Sequence, residues 1–304
     1  MKKYKTMAYA FKIKDLECCY NAGRTVLQVP QLAIGQGKTV FLLGPSGIGK
    51  STFIEAIGLM NDTMRHKAGT SVVFCDKKGQ ERELANSWRQ QNDELSHFRN
   101  EYYSFIFQHT NLMPNFTAGE NMCISRLIKG IPLAAAQEEV MATMQELKLE
   151  PGIFYKKTTQ LSGGQRQRVA FVRAITAEFE VLFGDEPTGN LDKDTAFRLM
   201  AFLRNNLQRH QRTAIIVSHD LDLALHFADQ IVLMTFCGEN GSQHGIILPE
   251  NSIENIAGAW RGPDGRPLKN PVDFIAQRLG LQAILYENHI TFSNTEAPRT
   301  RSDT

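Results

Sequence analysis

The run Gly44, Pro45, Ser46, Gly47, Ile48, Gly49, Lys50, Ser51 and Thr52 reads G-x-x-x-x-G-K-S-T and follows directly on the apolar stretch TVFLL. A strand before this pattern and a helix after it are the context in which the loop wraps phosphate. Glycines without a Cβ let backbone N–H groups close around an anion, and a helix beginning near Lys50 aims its positive end at it. Lys50 adds a formal charge for the β and γ phosphates of a nucleotide. The Ser51 hydroxyl suits Mg²⁺, a hard cation that takes oxygen ligands, and Thr52 lies where an α phosphate would sit. The competing reading is a glycine-rich turn with a solvated lysine; agreement of strand, loop and helix argues against it.

Two further apolar runs end in groups that could act on phosphate. VLFGDEP places Asp185 and Glu186 at the carboxyl end of a buried strand, where ligands bind in open α/β sheets. Asp185 there would hold Mg²⁺ through water, and Glu186 would accept a proton from an attacking water. TAIIVSHD ends likewise at His219, within reach of a γ phosphate or of that water. Each of these alone has a bland reading, a capped strand end or a structural histidine. It is their presence beside the phosphate loop that favours chemistry.

These groups need a sheet to align them. FKIKDLECCY, a turn at Asn21 to Arg24, and VLQVPQLAI read as short strands before TVFLL, and FIEAIGLM as a helix packed on a sheet. Residues 61 to 105 are polar and irregular, with a helix predicted across LANSWRQQNDELSHFRN. Residues 117 to 149 read as two helices parted near Gly130 and Pro132. LSGGQRQRVAFVRAITA is a further helix, and VLFGD and TAIIVSH are buried parallel strands, so the alternation predicts an α/β core. Beyond about Met234 the composition turns to glycine, proline and asparagine, with one helix at PVDFIAQRLGL and a polar tail from Ser293 to Thr304, which reads as an appendage. No internal repeat or heptad run occurs, which disfavours a coiled-coil machine.

Composition narrows the classes. With 304 residues, 42% apolar and 22% charged, the chain can bury one large core or two modest ones. Its 34 basic and 32 acidic residues give a formal charge of +2, without the basic footprint that nucleic-acid binding needs. Cys18, Cys19, Cys75, Cys123 and Cys237 fall in no C-x-x-C or Cys/His metal spacing, which fits reduced thiols in a cytoplasm. MKKYKTMAYAFKIKDLE has lysines but no apolar stretch long enough for a signal peptide, and no run of about 18 apolar residues occurs. Work at a membrane would therefore need another polypeptide to span it.

The stretch LSGGQRQRVAFVRA makes a resemblance specific. With GPSGIGKST, Phe107–Gln108, LSGGQ at 161–165, VLFGDEP, GNLD at 189–192 and Ser218–His219 in order, residues 11 to 235 resemble the ATP-binding-cassette (ABC) ATPases. The resemblance implies an α/β phosphate-loop NTPase core with an antiparallel β subdomain and a helical subdomain over about 109–175, the cassette covering 1–234 and the appendage 235–304. It also implies that two such domains pair head to tail, Ser162, Gly163, Gly164 and Gln165 of one closing over the γ phosphate held by the other. Ser162 offers a hydroxyl, and the glycines with the helix start offer N–H donors; in isolation the same turn is a helix cap. On the same resemblance Gln108 reaches Mg²⁺ and water, the helical insert touches a transmembrane partner, Asp192 lies in the dimer seam and Tyr20 stacks on adenine. An aromatic before a turn is also common simple packing.

FIFQHTNLMPNFTAGENM with GDEPTGNLD looks most like the subgroup that powers lipoprotein release, macrolide export and the cell-division ATPase. The stretch from Lys50 to Gln108 looks longer than usual for it, with an enlarged segment around Asp76 to Glu94. The expectation is an ATP-hydrolysing transporter subunit, using ATP and Mg²⁺, dimeric on the cytoplasmic face of a membrane and joined to a separate permease, with no nucleic-acid partner. An envelope regulator that moves no substrate is the alternative. A soluble DNA-repair or translation protein fits less well with one LSGGQ, no heptads and near-neutral charge.

Overall fold

A computed structural model of the chain describes residues 9–20, 23–89, 92–189, 191–238, 243–280, 282–286 and 289–293. Its centre is a sheet of parallel strands β3 (Thr39–Leu43), β6 (Tyr103–Ile106), β7 (Val181–Asp185), β8 (Thr213–Val217) and β9 (Gln230–Leu233), side by side in the order β9-β3-β8-β7-β6. These strands are apolar at nearly every position because both faces are covered. Phe41, Leu43, Leu182, Ile216 and Leu233 enter one core. The alternating Val40, Leu42, Phe183, Val217 and Val232 enter a second core on the other face.

The first core lies under helices α3 (Ala118–Ile128), α4 (Leu133–Glu146), α5 (Gly163–Thr176), α6 (Lys193–Arg209) and α7 (Leu221–Phe227). Thr117 and Glu120 form a reciprocal capping box that starts α3. The break between α3 and α4 falls at Gly130 and Pro132, where the sequence places it.

The second core lies between the parallel sheet, helix α1 (Lys50–Ile57), and a sheet built from β1 (Tyr9–Cys19), β2 (Thr25–Gly35), β4 (Ser71–Cys75) and β5 (Glu81–Glu83) in the order β2-β1-β4-β5, all antiparallel. β4 and β5 fall within the stretch predicted to be irregular. SVVFC is too short and too closely framed by glycines, Gly69 and Gly79, to carry a period; pairing with β1 makes it a strand. The helix predicted over 84–100 is a 3₁₀ turn at Ser87–Arg89 followed by α2 (Asn92–Tyr102), which runs without a loop into β6.

The chain does not leave the core at Met234. Strands β10 (Thr235–Cys237) and β11 (His244–Ile246) join the antiparallel sheet beside β2, while β12 (Ser252–Ile256) and β13 (Ala259–Arg261) extend the parallel sheet beyond β9. Helix α8 (Pro271–Leu279) buries Ile275 in the first core and stops at Gly280, whose φ of 65° suits a glycine. A hairpin of β14 (Gln282–Tyr286) and β15 (His289–Ser293) follows; the predicted tail beyond it lies outside the described residues.

Candidate active site

The phosphate loop leaves β3 and turns into α1 through Gly47 at φ 74° and Gly49 at φ 107°, values that an L side chain resists. Gly44 is needed for a different reason: a Cβ there would meet the Met234 carbonyl oxygen at 2.6 Å. The hairpin after Met234 also backs the loop, because a Cβ at Gly245 would overlap the Ile48 carbonyl. Lys50 is buried, and its ammonium donates to the carbonyls of Gly44 and Pro45 at 2.8 and 2.7 Å. Burial lowers its pKa, against the attraction of Glu186 and Asp185. The Tyr20 hydroxyl lies 3.1 Å from that of Thr52, joining the end of β1 to the loop.

Asp185 ends β7, with the Ser51 hydroxyl near enough to favour its charged form. Burial raises the pKa of this carboxyl, Glu186 adds to the rise, and Ser51 and Lys50 oppose it. Glu186 takes the left-handed conformation at φ 43°, a position that costs a non-glycine residue about 1–2 kcal/mol. Its N–H donates to the Val217 carbonyl at 3.0 Å, which fixes the turn against β8. The carboxylate then sits between two partners: Gln108 Nε2 donates to one oxygen at 3.1 Å, and His219 Nδ1 lies 3.2 Å from the other. Gly184 gives Pro187 its place beneath this turn, with the Pro187 Cγ 3.3 Å from where a Cβ would stand.

Tyr20, Gly44 to Thr52, Gln108, Asp185, Glu186 and His219 are thus gathered at the carboxyl ends of adjacent elements. Ser162 and Gln165 bond instead to the start of their own helix, the Gln165 N–H donating to the Ser162 hydroxyl and the Ser162 N–H to the Gln165 amide oxygen. Asp192 caps α6 by accepting from the Thr195 N–H at 2.9 Å. Asn190 of the GNLD stretch lies outside the described residues.

Sequence reading missed two side chains that tie the site together. Gln167 is buried, and its amide donates to the Pro187 carbonyl, linking α5 to the turn after Glu186. Arg173, on the same helix, donates to the carbonyls of Asn111 and Thr110 at 2.8 and 2.9 Å, holding the segment after Gln108. The available signal was a glutamine on the otherwise apolar stripe of Ala170, Phe171 and Ala174.

An anion-binding loop at a helix start, a carboxylate beside the helix hydroxyl and a second carboxylate held by an amide and an imidazole define a phosphate-loop ATPase. The comparisons with known proteins agree. A family model described as ABC transporter matches residues 27–189. The lipoprotein-releasing system ATP-binding protein LolD 1 of Rhodospirillum rubrum is 32% identical over 234 residues, covering 74% of this chain and 95% of that protein. The macrolide export ATP-binding/permease protein MacB of Vibrio parahaemolyticus is 35% identical over 224 residues, covering 73% of this chain and 32% of that protein. The dimeric structure of MJ0796, a bacterial ABC transporter cassette, superposes with a TM-score of 0.64 and 29% identity over 73% of this chain and 93% of that chain. The chain belongs to the ABC transporter family, as an ATP-binding and ATP-hydrolysing subunit. Among the described residues no helix is long and apolar enough to cross a membrane.

Proposed function

We propose that two copies of this chain clamp two ATP molecules head to tail, each site completed by the Ser162–Gln165 turn of the other copy, and that closing and reopening drives a separate membrane permease. The observation that carries this is Gly163. It stands at the exposed start of α5, and beyond its own turn of helix no atom of the described residues lies within 4 Å of where a Cβ would be. Neither packing within the described chain nor a positive φ asks for glycine there. A close neighbour from outside the chain accounts for it. The dimeric form of MJ0796 supports the pairing of two such chains.

In this reading the loop amides of Gly44 to Thr52 and the Lys50 ammonium bind the phosphates, and Tyr20 stacks on the base. The donor set of Ser51 hydroxyl, Asp185 carboxylate and Gln108 amide oxygen is all hard oxygen and fits Mg²⁺, which when bound would offset charge on the phosphates. Glu186 accepts a proton as water attacks the γ phosphorus and the bond to the bridging oxygen breaks; His219 and Gln108 hold its carboxylate in line. Asp192 lies at the seam between copies. ATP does work here only by binding the closed dimer more tightly than the open one.

Met113, Phe116, Leu127, Ile128, Leu133 and Tyr155 leave apolar surface exposed on the helical insert, which supports docking of the permease there and a place on the cytoplasmic face of a membrane. The likeness to LolD and MacB favours transport over the substrate-free regulator. The test is Glu186→Gln carried on the full chain. Turnover should fall about 10²- to 10⁴-fold while ATP binding persists and dimers accumulate. Recovered with ATP from gently solubilised membranes, the variant should retain an integral membrane protein. Near wild-type turnover removes Glu186 as the base, and recovery of ribosomal or DNA-repair subunits alone overturns the transport reading.

A further inference from the structure

Glu17 is a carboxylate nearly sealed inside the protein, at 5% exposure, three residues before Tyr20 on β1. Three segments converge on it. Thr25, at the start of β2, donates its hydroxyl at 2.7 Å; Arg65 donates a guanidinium N–H at 2.6 Å; Lys67 donates from its ammonium. The backbone repeats the connection, with the Arg65 N–H donating to the Glu17 carbonyl at 2.7 Å and the Cys19 N–H to the Thr63 carbonyl at 2.8 Å. Burial alone would raise the pKa of Glu17, but the bonds from Lys67, Thr25 and Arg65 hold it down at about 2, so the clamp is charged under all ordinary conditions.

What this clamp touches is the wall beside the phosphate loop. Arg65 reaches past Glu17 until its Nη2 lies 3.4 Å from where a Cβ would stand on Gly23, so the guanidinium lies against Gly23 just before β2. Thr25 is followed by Val26, whose Cγ1 is 3.4 Å from the Cβ position of Gly49 in the phosphate loop. Tyr20 itself is about half exposed, at 49%, and is tied to the loop by one hydroxyl contact to Thr52. Its ring is half open to solvent, whereas the strand that leads into it is fixed by the Glu17 clamp.

We propose that Glu17, acting through Arg65 and Thr25, is a positioning residue for the nucleotide base: it holds the end of β1 that carries Tyr20, and Val26, at the spacing from the phosphate loop that the base requires. The inference rests on Tyr20 being the group that stacks on the base. It separates two parts of affinity. The phosphates are held by Lys50 and the loop amides, none of which bonds to Glu17, while the base depends on how much of the Tyr20 ring is held in place before it arrives.

The experiment compares equilibrium binding of ATP with that of inorganic tripolyphosphate, which has the phosphates and no base, to full-length wild type, Glu17→Gln, Arg65→Ala, Tyr20→Ala and the Tyr20→Ala/Arg65→Ala double variant. Arg65 is partly exposed, so its variant keeps the test open if Glu17→Gln does not fold. Glu17→Gln and Arg65→Ala should weaken ATP about 5- to 10-fold and leave tripolyphosphate within about twofold, the share that base stacking supplies. Arg65→Ala should add nothing once Tyr20 is removed, because both act on the same contact. Parallel weakening of both ligands, or wild-type ATP binding by Glu17→Gln and Arg65→Ala beside an impaired Tyr20→Ala, overturns the positioning role and leaves stacking standing. Wild-type ATP binding by Tyr20→Ala removes the stacking reading itself.

Discussion

Gly44→Ala adds one methyl group to the first residue of the phosphate loop, at a place where no ligand is needed to make it harmful. The new Cβ would stand 2.6 Å from the Met234 carbonyl oxygen, 3.3 Å from the Met234 Cβ and 3.4 Å from its carbonyl carbon. A carbon and an oxygen normally rest no closer than about 3.2 Å, so roughly 0.6 Å must be found by moving backbone. Trimming Met234 to alanine cannot supply it, because the nearest atom is main chain. Met234 is pinned from the other side, its N–H donating to the Leu43 carbonyl at 2.8 Å, and Lys50 holds the Gly44 carbonyl at 2.8 Å. Overpacking of this kind costs about 1–3 kcal/mol. If the loop yields, ATP affinity falls by about 5- to 150-fold, since each 1.4 kcal/mol is about tenfold. If the strand yields, the melting temperature drops by about 2–4 °C per kcal/mol for a unit of this size. Isothermal titration with ATP and a thermal melt without nucleotide read the two arms, and Gly44→Ala/Met234→Ala should be no better than the single variant. Wild-type affinity together with an unchanged melt would refute the packing argument.

Two other outcomes follow from the same structure. Lys50→Ala removes the buried ammonium and leaves the Gly44 and Pro45 carbonyls without their donor, so labelled ATP should bind at least about 100-fold more weakly at equilibrium; unchanged affinity would remove Lys50 from the phosphate site. Glu17 binds its proton far less readily folded than unfolded, about 2 against 4.5, so its contribution to stability is present above pH 4.5 and is lost as pH falls toward 2. The shift corresponds to roughly 3 kcal/mol, and screening of the half-exposed Arg65 and Lys67 reduces the expectation to on the order of 1–2 kcal/mol between pH 6 and pH 3. Urea unfolding of wild type and Glu17→Gln at both pH values checks it: the variant should lose less stability on acidification, and equal losses would count against the clamp.

Much of this protein is determined locally and could be read from the chain. A phosphate loop is a contiguous backbone device, so Gly47, Gly49 and Lys50 announce it in order. Strands buried on both faces must be apolar throughout, so TVFLL, VLFGD and TAIIV declare both their class and the carboxylates and histidine at their ends. The tertiary structure decided which of these ends are neighbours. The motifs come along the chain on β3, β6, β7 and β8, but the sheet sets those strands in the order β3-β8-β7-β6, so Glu186 sits between His219 and Gln108. Periodicity records the faces of a strand and says nothing of its lateral partner, which depends on contacts far apart in sequence. The same limit hid β4, the strands after Met234 that return to both sheets, the Met234 carbonyl under Gly44, and Gln167 reaching Pro187. Each of these is a pairing across the fold, and only folding brings its two halves together.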